Sequence, residues 1–208
     1  MSIHVLFFIP ACSFKREINS SYYCQKLKLK CPQSNKVVQF KTSKGDFEVK
    51  LFGKDNPVTV ANFLENVENN IYLNQKFYKV IHFPQISFIH GGVNAEKEFY
   101  IERNQTINKT SPSIPLEIKL EEEISPRYNY QIKNPYETEK LVNTFENGSI
   151  SMVKSGKNNS SSTEFFFVTN NIPELDGRYS VFGKIIKGLD TLEKIENGDF
   201  IKEVKISN

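Results

Sequence analysis

The sequence contains no tryptophan, and its 208 residues include only three histidines and three cysteines. No metal-ligand spacing joins His4, His82 and His90, so we predict no metal site. An excess of charge of one sign is also missing, because 27 basic residues stand against 24 acidic ones without a sustained basic face. This balance argues against nucleic acid as a partner. Beyond the N-terminal stretch, no apolar run is long enough to cross a bilayer.

Apolar residues are plentiful in comparison. Hydrophobic residues make up 38% of the chain and aromatic residues 12%, which is enough to bury a substantial core. We predict one folded domain over residues 36–208, preceded by a signal- or lipoprotein-like segment and tether over residues 1–35. Within that first part, residues 13–35 show no clean hydrophobic period and are expected to be irregular.

An apolar run at the N-terminus ends in the tetrapeptide IPAC at residues 9–12. It resembles a bacterial lipobox, in which a signal peptidase cuts before a cysteine that then carries lipid. Cys12 is therefore a candidate lipidation site and membrane anchor, which predicts a location in the cell envelope or on the lumenal side of a membrane. No basic region precedes the motif, and the alternative is an ordinary cysteine in a frayed terminus of a cytoplasmic protein. Cys24 and Cys31 fit either a disulfide or two free thiols.

Most of the remaining chain has the alternating pattern of β-strands. The stretch VVQFKTSKGDFEVKLF, residues 37–52, predicts two strands joined by a tight turn. Asn56 and Pro57 then begin a predicted amphipathic helix. Its apolar face is formed by Val60, Phe63, Leu64 and Val67.

The second half of the chain alternates between loop and strand patterns. Residues 94–146 are polar, contain several prolines and are expected to be mostly loop. Strand patterns return at GSISMVKS, EFFFVT and YSVFGKII, a short helix is predicted at LDTLEKIE, and FIKEVKIS ends the chain with a strand. Many short strands with one early and one late helix favour a mainly β fold, a closed antiparallel barrel whose ends the two helices cover.

Several motifs follow one another in a fixed order along this domain. They read FYKVI at residues 77–81, HGG at 90–92, GSISMV at 148–153, TEFFF at 163–167 and LDGRYSVFG at 175–183. Taken together and in this order, they resemble the cyclophilin family of peptidyl-prolyl isomerases. The resemblance extends from about Val37 to the C-terminus.

The resemblance implies an eight-stranded antiparallel barrel capped by two α-helices and a cofactor-free prolyl isomerase. Its partners would be proline-containing client polypeptides, and the protein would be a monomer. The implied catalytic residues are Lys79 and His90. The implied substrate-binding residues are Phe88, Met152, Val153, Phe166, Leu175 and Tyr179, with Phe166 as the floor of a proline pocket.

Rotation about an X-Pro bond must break amide conjugation, which gives a barrier of about 18–20 kcal/mol. A catalyst holds the proline ring in an apolar cup and stabilises the twisted amide, whose nitrogen regains a lone pair and accepts a hydrogen bond. In the cyclophilin family an arginine supplies that donor, and Lys79 stands at its position. Ammonium is a compact point donor whereas guanidinium is a rigid fork, so we expect slower turnover. His90 replaces a glutamine and would repel Lys79 once protonated.

Other departures from the family pattern affect the pocket. Ser87 replaces the usual phenylalanine, Phe83 is a candidate to fill that gap, and Val153 is bulkier than the usual alanine. These substitutions keep a second hypothesis open, namely a binding module or assembly chaperone that grips proline-containing segments without turnover. The retained Leu175 and Tyr179, with an aromatic floor, favour the enzyme.

Glu174 stands where a tryptophan or another large apolar residue often precedes the leucine of the family motif. Because the indole at that position is important for the immunosuppressant cyclosporin, we predict weak binding of this drug. In a fluorescence or calorimetric titration, the expected dissociation constant lies above about 1 μM, which corresponds to about −8 kcal/mol. A submicromolar constant would contradict the prediction.

Overall fold

A computed structural model of the protein describes residues 19–84, 86–93, 101–102, 105–106 and 113–207. Its helices are α1 (Ser20–Lys26), α2 (Pro57–Glu68), α3 (Pro135–Thr138) and α4 (Leu189–Leu192), and a 3-10 helix spans Pro173–Leu175. Its strands are β1 (Lys36–Thr42), β2 (Gly45–Leu51), β3 (Lys79–Phe83), β4 (Ile86–Gly91), β5 (Ile101–Glu102), β6 (Gln105–Thr106), β7 (Ser113–Pro115), β8 (Glu117–Ile118), β9 (Arg127–Tyr128), β10 (Ser149–Lys154), β11 (Asn159–Val168), β12 (Val181–Lys187) and β13 (Ile201–Ser207).

Alternation of side chains accounts for the first hairpin. Val38 and Phe40 of β1 pair with Val49 and Phe47 of β2, and all four side chains are fully buried. A short turn joins the strands, and the hydroxyl of Thr42 donates to a carbonyl oxygen of this turn at 2.7 Å. The hairpin predicted from the sequence is confirmed.

Eight strands form one antiparallel path in the order β13-β1-β2-β12-β10-β11-β4-β3, and β7 pairs with β11 beside it. The sheet curls strongly, so that the chain before β3 meets the chain before β13. The N–H of Phe77 donates to the carbonyl oxygen of Asp199 at 2.7 Å, and the N–H of Ile201 donates to that of Gln75 at 2.8 Å. The predicted mainly β, eight-stranded antiparallel fold is confirmed.

The closure of the barrel, however, is only partial. Within the described ranges, no ladder of hydrogen bonds joins β3 to β13. The side-chain amide of Asn197 lies at the edge of β3 instead, where it accepts from the N–H of Val80 at 2.6 Å and donates to its carbonyl oxygen at 3.2 Å. A side chain thus satisfies backbone groups that a neighbouring strand would otherwise pair. The expectation of a fully closed barrel is corrected to a curled half-barrel.

Phenylalanine rings dominate the main core inside the sheet. Phe40 stacks on Phe47 with 4.8 Å between ring centroids, and Phe167 meets both rings edge-on. Such aromatic pairs contribute about 0.5–1.5 kcal/mol each beyond the burial of their area. Helix α2 covers this core with the apolar face predicted from the sequence, and the late helix α4 buries Leu192. The α2 face consists of Val60, Phe63, Val67 and the partly buried Leu64.

A helix and a disulfide occupy part of the segment expected to be irregular. Residues 20–26 form α1, and Cys24 is joined to Cys31 just after it. The ring of Tyr23 is buried 4.6 Å from the ring of Tyr128. These contacts fix α1 on the domain. The sequence of this segment has no hydrophobic period that would have predicted them.

Cys12 lies outside the described residues, so its lipidation remains a prediction, as does the domain boundary after residue 35. Of the helices that the structure describes, none has the length and apolar character of a membrane-spanning segment.

Residues 113–146 add a second, small core to the domain. β8 pairs with β9, and Leu120 forms an isolated bridge with Leu141. The segment is largely irregular, as expected, but it is packed rather than peripheral. Its apolar side chains cluster as Leu116, Ile118, Leu120, Ile132 and Leu141.

Glu117 is fully buried at the N-terminal end of α2. Its carboxylate accepts hydrogen bonds from the N–H groups of Val58 at 3.2 Å and Thr59 at 2.8 Å, and the Tyr128 hydroxyl donates to it at 2.7 Å. The first N–H groups of a helix have no partner within the helix, so this carboxylate caps α2 from a distant segment. Burial raises the pKa of Glu117, and the hydrogen bonds from Tyr128 and Thr59 act in the opposite direction.

Replacing Glu117 by alanine would leave two buried N–H groups of α2 without their acceptor. We expect Glu117→Ala to lower the free energy of unfolding by about 2–4 kcal/mol, measured by denaturant titration. Glu121→Ala, an exposed position in the same segment, is the control and should stay within about 0.5 kcal/mol of the unsubstituted protein. Equal stability of the two variants would rule out the capping role.

Candidate active site

One row of side chains crosses three neighbouring strands. Lys79 on β3 pairs with His90 on β4, and His90 pairs with Phe166 on β11. Directly opposed residues of adjacent strands point to the same face of a sheet. Lys79 and Phe166 therefore share one face, as the resemblance requires.

A hydrophobic cluster surrounds Phe166 on this face. We name it the Phe166 cluster, and it brings together five of the six predicted binding residues. The buried members are Phe145, Phe166, Val168, Ile172 and Val181, and the partly buried members are Ile86, Phe88, Val153, Leu175 and Tyr179.

Four aromatic rings pack around the ring of Phe166. Phe145 and His90 lie nearly parallel to it, with centroids at 5.8 and 5.3 Å. Tyr179 meets it edge-on at 5.4 Å, and Phe88 lies at 6.3 Å. Only 3% of Phe166 is exposed, so it forms the base of the cluster, and the partly buried members form the rim.

His90 is the middle residue of the row. Burial lowers the pKa of its ring to about 4, and the positive charge of Lys79 adds to this shift. His90 is therefore neutral at pH 7, with one ring nitrogen that donates a hydrogen bond and one that accepts. The repulsion of Lys79 that the sequence suggested applies only in acid.

Lys79 begins β3 with an exposed side chain. Its ammonium group is exposed to solvent, and its three hydrogen-bond donors are accessible. The row therefore combines an accessible cation, a neutral imidazole and a buried aromatic base.

Met152 lies apart from these residues. Its fully buried side chain belongs to the main core, where it pairs in register with Phe165. Neighbouring residues of a strand point to opposite faces, so Met152 and Val153 cannot both line one pocket. Val153 packs in the Phe166 cluster, and the expected contact of Met152 with substrate is corrected accordingly.

Ser87 stands where the family has a phenylalanine, and the alternation of strand β4 shows which nearby residue makes an apolar contact in its place. Ile86 lies four positions before His90 and shares its face, whereas Ser87 points to the other face. Phe83, the candidate considered from the sequence, is 55% exposed and belongs to none of the hydrophobic clusters. Ile86 supplies the apolar contact, and the alternation of β4 is the signal that could have found it.

Phe145 is a member of the Phe166 cluster that the sequence did not indicate, and the turn before Tyr179 holds it in place. The carboxylate of Asp176 accepts the N–H of Phe145 at 2.7 Å and so fixes Phe145 beside the turn. Gly177 has a φ of +70°, and a Cβ there would collide with the carbonyl oxygen of Ile132. Gly177 therefore allows the turn to approach the backbone of Ile132 closely, and Asp176 fixes the position of Phe145. No pattern in the predicted loop marks Phe145.

A family model described as cyclophilin type peptidyl-prolyl cis-trans isomerase/CLD matches residues 37–208. The chain belongs to the cyclophilin family. The crystal structure of a cyclophilin type peptidyl-prolyl cis-trans isomerase from Cryptosporidium parvum, obtained in the presence of the dipeptide Ala-Pro, superposes with a TM-score of 0.57 and 26% sequence identity. The similarity covers 83% of this cyclophilin and 99% of that chain.

Relatives in other organisms are peptidyl-prolyl cis-trans isomerases by name. The protein of Acinetobacter baylyi is 28% identical over 169 residues, which are 79% of this cyclophilin and 73% of that protein. A candidate thylakoid lumen isomerase of Synechocystis sp. is 29% identical over 180 residues, or 82% and 46% of the two chains. Isomerase 9 of Schizosaccharomyces pombe is 29% identical over 159 residues, or 76% and 21%. This cyclophilin thus spans less than half the length of the last two relatives.

The packing of His90 can be tested by NMR titration of its ring. We expect a midpoint near pH 4, and a higher midpoint in Lys79→Gln because that change removes a nearby positive charge while burial remains. The unfolded chain takes up this proton near pH 6.5, whereas the folded protein takes it up near pH 4. The free energy of unfolding therefore falls as the pH drops from 6.5 towards 4, and above pH 6.5 His90 causes no such loss. His4→Asn and His82→Asn, each compared with the unsubstituted protein, assign the three histidine signals. A midpoint near 6.5 would contradict the buried position of the ring.

Proposed function

We propose that this cyclophilin is a cofactor-free peptidyl-prolyl cis-trans isomerase that acts on exposed X-Pro bonds of client proteins during folding. The observation that carries the proposal is the common face of Lys79, His90 and Phe166. Membership of the cyclophilin family supports it.

The Phe166 cluster is the proposed proline site. A pyrrolidine ring has no hydrogen-bond donor, and it gains free energy when its apolar surface leaves water. Phe166 offers the flat apolar base, and Phe88, Val153, Leu175 and Tyr179 offer the rim. Holding the ring still leaves the preceding peptide bond as the part that turns.

Lys79 is the proposed catalytic residue. No covalent bond is made or cut, so the rate depends on how strongly the twisted amide is stabilised relative to both planar forms. The ammonium of Lys79 donates a hydrogen bond to the proline nitrogen as its lone pair develops. The neutral His90 ring beside it accepts or donates a hydrogen bond without adding charge, so it orients the lysine or the peptide carbonyl.

Lysine in place of arginine favours a second candidate function. A hydrated point donor stabilises the twisted amide less selectively than a rigid guanidinium fork, while the apolar pocket would still bind proline. The second candidate is accordingly a proline-peptide-binding module or assembly chaperone with little turnover. The two functions share the pocket and differ in the contribution of Lys79.

Proline-containing polypeptides are the proposed partners, bound by a monomer, and nucleic acid is not expected to bind. The proposed location is the cell envelope or the lumenal side of a membrane, with Cys12 as the proposed anchor and the cytoplasm as the alternative. The disulfide between Cys24 and Cys31 supports an oxidising compartment, and so does the named location of the Synechocystis relative.

Exchange NMR or a protease-coupled assay on an Ala-Pro peptide tests catalysis. We expect the unsubstituted protein to accelerate exchange, Lys79→Ala to lose about tenfold or more in kcat/KM, and Lys79→Arg to equal or exceed the lysine form. Ten-fold corresponds to about 1.4 kcal/mol of transition-state stabilisation.

Lys50→Ala, an exposed lysine on β2, is the matched control and should leave the rate unchanged. No acceleration by the unsubstituted protein, with peptide binding retained, would favour the binding module. The same acceleration by Lys79→Ala would defeat the catalytic role of this lysine.

A further inference from the structure

A cavity of about 390 Å³ opens beside the turn that carries Leu175 and Tyr179. It lies outside the Phe166 cluster, and its walls come from three separate parts of the chain: the irregular segment, the end of β10 and the turn. The charged residues of its lining are Lys133, Lys154, Glu174, Asp176 and Arg178.

Three positively charged side chains, those of Lys133, Lys154 and Arg178, line this cavity. The pKa of Lys154 is lowered, first by burial and then by the positive charges of Arg178 and Lys133. Within the ranges that the structure describes, none of the three forms an ion pair with a carboxylate. Like charges held together without a counter-ion raise the free energy of the empty cavity, and an anion would relieve it.

The carboxylates that line the cavity do not fill this role. Asp176 accepts the N–H of Phe145, and its pKa is raised by burial and by the negative charges of Glu174 and Glu146. In the part of the chain that the structure describes, neither Glu174 nor Asp176 forms an ion pair with a cation of the cavity.

A short chain of contacts connects the cavity to the proposed proline site. The ammonium of Lys154 lies 4.7 Å from the ring centroid of Tyr179, and that ring meets Phe166 edge-on at 5.4 Å. The two contacts place the ammonium of Lys154 within about 10 Å of the Phe166 ring, a distance that an extended peptide covers in at most about three residues. A peptide with its proline over Phe166 can therefore place a nearby side chain in the cavity.

We propose that this cavity binds the carboxylate of an aspartate or glutamate that lies within about three residues of the proline in a client segment. Lys154 is the principal cation of the site, and Lys133 and Arg178 supply two further positive charges. The inference rests on the proposed function, because it takes the Phe166 cluster as the proline site. It makes this cyclophilin selective for acidic proline-containing segments.

The test compares peptides with one central Ala-Pro unit in which glutamate or glutamine stands at each of the three positions on either side. Dissociation constants are measured by NMR titration, and kcat/KM is measured in parallel. At low salt we expect the glutamate peptide to bind about fivefold more tightly than its glutamine partner at one or more positions. The ratio should fall towards one at about 0.5 M salt, since screening weakens exposed ion pairs.

Lys154→Gln should reduce the glutamate-to-glutamine ratio to below about twofold, and Arg178→Gln should reduce it in part. Lys50→Gln, which removes the same unit of charge from an exposed position on β2, is the control and should keep the ratio. Because the readout is a ratio between two peptides, a general change in activity of a variant cancels.

Binding of proline peptides with a ratio near one at every position would overturn this inference alone. An equal loss of the ratio in Lys154→Gln and Lys50→Gln would also overturn it, since the effect would then be one of net charge. Failure of every proline peptide to bind would overturn the proposed function, and this inference with it.

Discussion

The antiparallel register of β3, β4 and β11 is the constraint on which the candidate active site depends. It sets Lys79, His90 and Phe166 in one row on one face. A shift of one residue between β4 and β11 would turn Phe166 into the core and bring Phe165 to the pocket. Phe165 and Phe167 oppose such a shift, because both are fully buried on the other face and each contributes about 1.5–3 kcal/mol by burial. The main core therefore positions the pocket residue that lies between them.

The irregular segment over residues 113–146 connects the helix, the N-terminal disulfide region and the pocket. While the carboxylate of Glu117 caps α2, its backbone N–H donates to the hydroxyl of Ser180 at 2.8 Å. The carbonyl of Ser180 in turn accepts the Ser151 hydroxyl at 2.8 Å, next to Tyr179 on the rim. A segment with little regular structure thus holds the turn of the pocket through buried hydrogen bonds, which are costly to break.

Burial and aromatic contacts determine the electrostatic character of the residues around Phe166. His90 stays neutral beside Lys79 because its ring is packed against Phe166, so the row carries one positive charge rather than two. Lys154 lies over the face of Tyr179, where the negative face of the ring partly compensates for lost hydration. Under the proposed function, these two cations are donors for a peptide whose carbonyl oxygens and developing lone pair are acceptors.

Local patterns in the sequence determined the strands, the face of α2 and the order of the motifs, because alternation and helical spacing are properties of neighbouring residues. Alternation also contained the information that Met152 and Val153 point to opposite faces. Only the tertiary structure decided that Phe145 packs beside Phe166, and that Asn197 takes the edge of β3 and leaves the barrel partly open. These contacts join residues far apart in the chain, and no local period encodes which distant side chain arrives at a given strand edge or ring.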